Sequence, residues 1–166
     1  MNCEICQISL NITEDTNSCY TGEIDNYYLD NNTYRRCHKN CLRCSSNKNI
    51  NCKRCIPNYY FTEDTKSCFN YIIDYYFLDN NILRKCHQNC LKCSSKSNIN
   101  CIICRTKYYI TEDTKSCYNE IINNYYLDNN ILRRCHKNCL QCIDRLNINC
   151  LKCKINYYMT EDSKSC

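Results

Sequence analysis

Tryptophan is absent from this chain, glycine and proline occur once each, and no apolar run approaches the length of a membrane span, which needs about 20 residues. With a single glycine there is no glycine-rich loop to cradle a phosphate. The turns must be made by another residue. Asparagine is abundant, tolerates left-handed backbone angles and hydrogen-bonds its own backbone, so it takes that role. The opening MNCEICQISLNITED has neither the basic start nor the apolar stretch of a secretory leader.

What the chain has is cysteine, 21 of 166 residues, above the roughly 8–10% that marks a disulfide scaffold or a dense metal site. The cysteines recur with a period. Residues 37–85 and 86–134 align without a gap, and 33 of 49 positions are identical. A third copy occupies 135–166, and residues 1–36 match the later part of a copy, so the segments read as 1–36, 37–85, 86–134 and 135–166. Met1 stands at the phase of Ile50, Ile99 and Ile148. It is therefore expected to be an internal residue at the edge of a fragment, not a true start. A repeat of 49 residues is near the size at which hydrophobic burial alone seldom suffices and covalent or metal staples take over.

Each full copy reads C-x3-C-x2-C-x7-C-x2-C-x12-C followed by seventeen residues without cysteine. Two stretches carry strand signals. NYYFTEDTKSC (Asn58 to Cys68) predicts an aromatic strand, a turn at Glu63-Asp64-Thr65 and a short return strand; DYYFLDNNILRKC (Asp74 to Cys86) repeats the form with a turn at Asp79-Asn80-Asn81. The first hairpin brings its ends together and favours Cys55 with Cys68. The cysteines from Cys37 to Cys52 then pair among themselves.

This phrase, with a histidine after the first cysteine and tyrosines before the last, resembles the furin-like repeat of growth-factor-receptor cysteine-rich domains. That family also includes R-spondins and many protist surface proteins. The resemblance covers nearly the whole chain. It implies that the first cysteine of a copy bridges the third, the second the fourth and the fifth the sixth: Cys37–Cys44, Cys41–Cys52 and Cys55–Cys68. The following copies give Cys86–Cys93, Cys90–Cys101, Cys104–Cys117, Cys135–Cys142, Cys139–Cys150 and Cys153–Cys166, with Cys6–Cys19 at the start. Cys3 is left unpaired. One departure stands out, because the family's usual repeat has two further cysteines closing the second hairpin. Here those places hold Ile72 and Leu83, Ile121 and Leu132, and Glu23 and Tyr34. An apolar contact is expected to replace the missing bridge and to leave that hairpin the weakest part of each repeat.

Zinc is the competing reading. Cys41, Cys44, Cys52 and Cys55 have the paired C-x2-C form of a tetrahedral four-thiolate site. Against it, the seven-residue spacer is short for a zinc ribbon, and Cys37 and Cys68 go unexplained. A c-type haem requires C-x-x-C-H, which does not occur. A thioredoxin-like centre needs one reactive pair on a βαβ scaffold, and seven C-x-x-C pairs without such a scaffold argue against it. His38, His87 and His136 share one phase and read as packing or hydrogen-bonding residues beside the first disulfide. The carboxylate pairs Glu14-Asp15, Glu63-Asp64, Glu112-Asp113 and Glu161-Asp162 fall in turns and read as solvated tips. Repetition argues for architecture, since an active site needs one asymmetric constellation. No enzyme and no cofactor are expected.

The net charge of +5 is modest, with basic pairs at Arg35-Arg36, Arg84-Lys85 and Arg133-Arg134. Nucleic acid would need a more concentrated basic face with stacking aromatics. Adjacent tyrosines on a strand point opposite ways, so one of each pair is expected to cover the disulfides and the other to face solvent. Asn11 and Asn31 head glycosylation sequons. The reading is a small disulfide-rich, mostly β chain: an elongated tandem array of short β-hairpin modules with little helix. It is expected to belong to a larger surface or secreted protein, as an extracellular structural or adhesive scaffold whose partners are proteins or glycans at the cell surface. A receptor-like ligand-binding ectodomain is the near alternative, and an intracellular zinc-binding scaffold the distant one.

Overall fold

The computed structural model describes residues 6–161 and 164–166. The chain divides into two compact units, Met1–Ile73 with Leu78–Arg84, and Asp74–Phe77 with Lys85–Cys166. Its strands are short. In the first unit they are β1 (Asn11–Thr13), β2 (Cys19–Tyr20), β3 (Tyr27–Asp30), β4 (Thr33–Arg36), β5 (Cys41–Cys44), β6 (Cys52–Cys55), β7 (Tyr60–Thr62) and β8 (Cys68–Phe69). Next come β9 (Tyr76–Asp79) and β10 (Ile82–Lys85), within which the division between units falls. The second unit continues with β11 (Cys90–Cys93), β12 (Cys101–Cys104), β13 (Tyr109–Thr111), β14 (Cys117–Tyr118), β15 (Tyr125–Asp128), β16 (Ile131–Arg134), β17 (Cys139–Cys142) and β18 (Cys150–Cys153). Three single-turn 3-10 segments, Asn49–Asn51, Asn98–Asn100 and Asn147–Asn149, are the helical elements among the described residues.

The same two motifs alternate along the chain. One is a two-stranded cysteine hairpin, β5–β6, β11–β12 or β17–β18, in which Cys41 faces Cys55 and Cys44 faces Cys52 across a bulged register. The other is a four-stranded sheet, ordered β2-β1-β4-β3 in the first unit and β14-β13-β16-β15 in the second. Between them, β7 takes β8 antiparallel and β10 parallel in the same manner.

Asparagine makes the turns as its chemistry allows. Asn31 and Asn32, Asn80 and Asn81, and Asn129 and Asn130 all have positive φ, as the two central residues of a type I′ hairpin turn must.

Isolated hairpins are not what the sheets contain. A parallel pairing, Ile12–Thr33 and Thr13–Tyr34 in one case and Ile110–Ile131 and Thr111–Leu132 in another, splices the two hairpins of a module into one sheet. This decides the fate of the apolar pairs expected to close the second hairpin. Leu83 and Leu132 are completely buried, while Ile72 and Ile121 remain 54% and 58% exposed. The expected apolar pair therefore does not form as a buried contact. The leucines instead sit on the spliced strand opposite buried Thr62 and Thr111.

The remaining core is made largely of cystine. Buried Cys41, Cys44, Cys52 and Cys68 pack with Tyr28, Tyr59 and Phe61. In the second unit Cys90, Cys93, Cys101 and Cys117 pack with Phe77, Tyr108 and Ile110, and Cys139, Cys142 and Cys150 pack with Tyr126.

Candidate functional site

The structure contains the ten pairs that the resemblance implies: Cys6–Cys19, Cys37–Cys44, Cys41–Cys52, Cys55–Cys68, Cys86–Cys93, Cys90–Cys101, Cys104–Cys117, Cys135–Cys142, Cys139–Cys150 and Cys153–Cys166. Cys3 lies outside the described residues. Sulfur does cluster, but not as the zinc quartet. The sulfurs of Cys41, Cys52 and Cys68 lie within 4.8 Å of one another, as do those of Cys90, Cys101 and Cys117 and of Cys139, Cys150 and Cys166. Each triplet joins a complete Cys–Cys bridge to one sulfur of the next, so it offers no thiolate to a cation.

Polar side chains hold the last cysteine of each copy in place. Asn40 Nδ2 donates to the Cys68 carbonyl at 2.9 Å, and the Cys68 amide donates to Asn49 Oδ1 at 3.1 Å. Asn89 and Asn98 clamp Cys117 in the same way, and Asn138 and Asn147 clamp Cys166. These asparagines satisfy backbone groups of the copy's last cysteine that would otherwise need partners. The histidines serve the neighbouring turn, His38 Nδ1 accepting from the Asn40 amide at 3.3 Å and His87 and His136 doing likewise.

The acidic turn has a buried anchor that the sequence reading did not find. Thr62 Oγ1 accepts from the Ser67 amide at 2.7 Å and meets Thr65 Oγ1 at 2.7 Å, and the Thr111 and Thr13 sites repeat this. The T-x-x-T-x-S spacing was its only sequence trace.

The carboxylates of these turns are mostly exposed, and several of them are also held in ion pairs. Arg35 bridges Glu14 and Asp30, Arg84 bridges Glu63 and Asp79, and Arg133 bridges Glu112 and Asp128. Arg36 pairs with Asp15, and Arg134 with Asp113. Tyr27 donates its hydroxyl to Asp15 at 2.8 Å, and Tyr125 to Asp113 at 3.0 Å, with Arg36 and Arg134 stacked over the respective rings. So the tyrosine expected to face solvent belongs to an Asp–Tyr–Arg latch, while Tyr28 covers the disulfides. Burial pushes the Asp15 and Asp113 carboxyls upward, but the hydrogen bonds from tyrosine and arginine outweigh it and hold both below the usual carboxylate range. Burial and the adjacent carboxylate raise Tyr27 and Tyr125. Glu161 is described and exposed, whereas Asp162 lies outside the described residues.

Two concave sites recur at one phase. In the first unit a cavity of about 370 Å³ is lined by Glu23, Tyr27, Tyr28, Arg43, Ser45 and Lys53 among others. In the second unit a cavity of about 360 Å³ has Ile121, Tyr125, Tyr126, Gln141, Ile143 and Leu151 at the equivalent positions. The scaffold is kept while the lining turns from charged to apolar.

The sequons differ in setting. Asn31 is exposed at a hairpin tip, whereas Asn11 lies on β1 two residues before buried Thr13.

No helix among the described residues is long and apolar enough to cross a membrane. No protein-family model matches the chain, and no curated protein matches it.

Proposed function

We propose that this chain is an extracellular scaffold of furin-like type, a tandem set of disulfide-held β modules that positions surface side chains for adhesion. One observation carries the reading. The core of each module is largely cystine, and Leu83, Leu132, Tyr34 and Tyr125 are the large aliphatic and aromatic residues buried among the described residues. Such a fold depends on an oxidising compartment, because cytosolic reductants keep thiols reduced. The reading assigns the chain no catalytic role, since the ionisable groups that recur serve turns and latches.

The receptor-like alternative draws support from the two grooves. A ligand site specific to one module needs side chains that differ between modules, and the exchange of Glu23, Arg43 and Lys53 for Ile121, Gln141 and Leu151 supplies them.

The test is the thiol state of the protein taken from its native cells and alkylated without reductant. The scaffold reading expects protected cysteines and a gain of about two hydrogens per bridge on later reduction. Freely alkylated thiols accompanied by stoichiometric zinc would instead establish the intracellular metal-binding alternative.

A further inference from the structure

Every module has a residue in left-handed conformation just before its second hairpin: Asn26, Tyr75 and Asn124, each at φ 70. The fold dictates this angle. The amides of these residues donate to Leu42, Leu91 and Leu140 at 2.7 Å, and their carbonyls accept from Cys37, Cys86 and Cys135 at 2.8 Å. Asparagine tolerates the conformation, but for a bulky aromatic it is an outlier held against steric strain. Tyr75 is not repaid by burial, since it stays 42% exposed. Its ring carries the guanidinium of Arg105, 4.6 Å from the centroid.

Arg105 also departs from the preceding copy. The same phase holds Ile56 in the preceding copy and Lys154 in the following one. Arg35, Arg36, Arg43, Arg84, Arg133, Arg134 and Arg145 all lie on carboxylates. Arg105 has no carboxylate partner among the described residues and is exposed. The turn that follows it, closed by the Tyr108 amide on the Arg105 carbonyl at 3.0 Å, contains a further cation, Lys107. Lys107 sits at φ 69 where Asn58 and Asn156 occupy the equivalent left-handed positions. Across the join of copies 37–85 and 86–134, Tyr75, Arg105 and Lys107 thus stand where the preceding join has Asn26, Ile56 and Asn58 and the following one has Asn124, Lys154 and Asn156.

We propose that Tyr75 and Arg105, with Lys107 beside them, bind an acidic saccharide, a sugar ring bearing sulfate or carboxylate. The planar guanidinium offers two parallel N–H bonds to such an anion. Stacking on Tyr75 holds it in place, so less side-chain freedom is lost on binding. The ring widens the platform with a flat apolar surface that suits the C–H face of a sugar. An acidic peptide fits less well, because extended peptides dock along a strand edge or in a groove, not on one stacked pair. The inference rests on the extracellular reading above.

The test uses the oxidised, purified chain and a heparin hexasaccharide, with binding measured calorimetrically at low and physiological salt. Tyr75→Asn restores the residue of the other modules and should leave Tm unchanged or higher while weakening binding about tenfold, as loss of one good contact does. Arg105→Ile, the residue of the preceding copy, should weaken it similarly. Arg54→Ile removes another exposed arginine, at the phase of Ile103, and should change affinity less than about twofold. Undiminished binding by Tyr75→Asn or Arg105→Ile overturns the proposal. So does an equal loss with Arg54→Ile, binding of poly-glutamate as tight as that of the saccharide, or no binding by the parent chain at low salt. A chain found reduced inside cells would defeat the extracellular reading alone, whereas lost binding with all disulfides intact would defeat only the saccharide site.

Discussion

Thr62 and Leu83 face each other across the parallel pair β7–β10, and both are 0% exposed. One anchors the acidic turn through its hydroxyl, and the other presents its carbonyl to the Glu63 amide at 3.2 Å. Thr111 and Leu132 repeat the pairing. At these positions the second hairpin is thus held by a strand splice with one buried leucine, not by a contact between two aliphatic residues.

Leu83→Ala and Leu132→Ala should each cost about 2–5 kcal/mol, the range for a buried leucine in a packed site. Ile121→Ala, more than half exposed, should stay within about 0.5 kcal/mol. Denaturant midpoints with disulfides intact decide this. Equal, small effects at all three positions would mean that the splice contributes little.

The hairpins and their asparagine turns were legible because their signals are local: Asp79-Asn80-Asn81 lies within one strand-turn-strand phrase. The disulfide pairs were legible only through the resemblance, since spacing alone favoured little beyond Cys55 with Cys68. The parallel splice was not legible. Its partners, Thr62 and Leu83, are 21 residues apart on strands of three and four residues, too short to carry a period. The Arg–carboxylate mesh was hidden for the same reason. Glu14 and Arg35 read as separate turn and stripe until that pairing sets β1 beside β4.

Reduction should unfold the protein. The bridges span 7, 11 and 13 residues in each full copy, and loops of this size contribute about 3 kcal/mol each in the chain-entropy model. The loops closed by Cys37–Cys44 and Cys41–Cys52 overlap, so the contributions are not simply additive. Even so, their loss is comparable to a small domain's net stability of about 5–15 kcal/mol. Circular dichroism and protease resistance after dithiothreitol are the readouts. Reduced protein that kept both would place the stabilising free energy outside the cystine core.

Acid should weaken the latches. Asp15 and Asp113 have lowered values in the folded chain. Their contribution is therefore complete above the unfolded carboxylate value of about 3.9 and is lost as pH falls from there through the folded value. Tyr27 and Tyr125 are raised, so their contribution is complete below about pH 10 and is lost as pH rises through the folded value. Thermal scans of the chain and of Asp113→Asn across both windows measure this. The variant should show a smaller loss on the acid side, and identical profiles would show that the latch contributes nothing.

The last copy offers a test of the splice by addition. Tyr158, Met159 and Thr160 stand at the phase of β7 and β13 but form no strand. Tyr158 is 87% exposed, whereas Tyr60 and Tyr109 are half-buried. The Thr160 amide nonetheless donates to the Ser165 carbonyl at 3.0 Å. What the other copies have in addition is a parallel neighbour, β10 for β7 and β16 for β13. Its hairpin lies within the cysteine-free stretch that follows the last cysteine of the copy. Appending a second copy of residues 118–134 directly after Cys166 supplies that hairpin at the same spacing and adds no cysteine. If the parallel splice orders the strand, the amides of residues 158–160 should gain hydrogen-exchange protection, Tyr158 should become less accessible to surface nitration, and Tm should rise. The same extension carrying Leu→Ala at the position copied from Leu132 should lose most of the gain, because it lacks the side chain that faces the threonine. Protection that appears equally with both extensions would show that chain length alone, and not the buried leucine, closes the sheet.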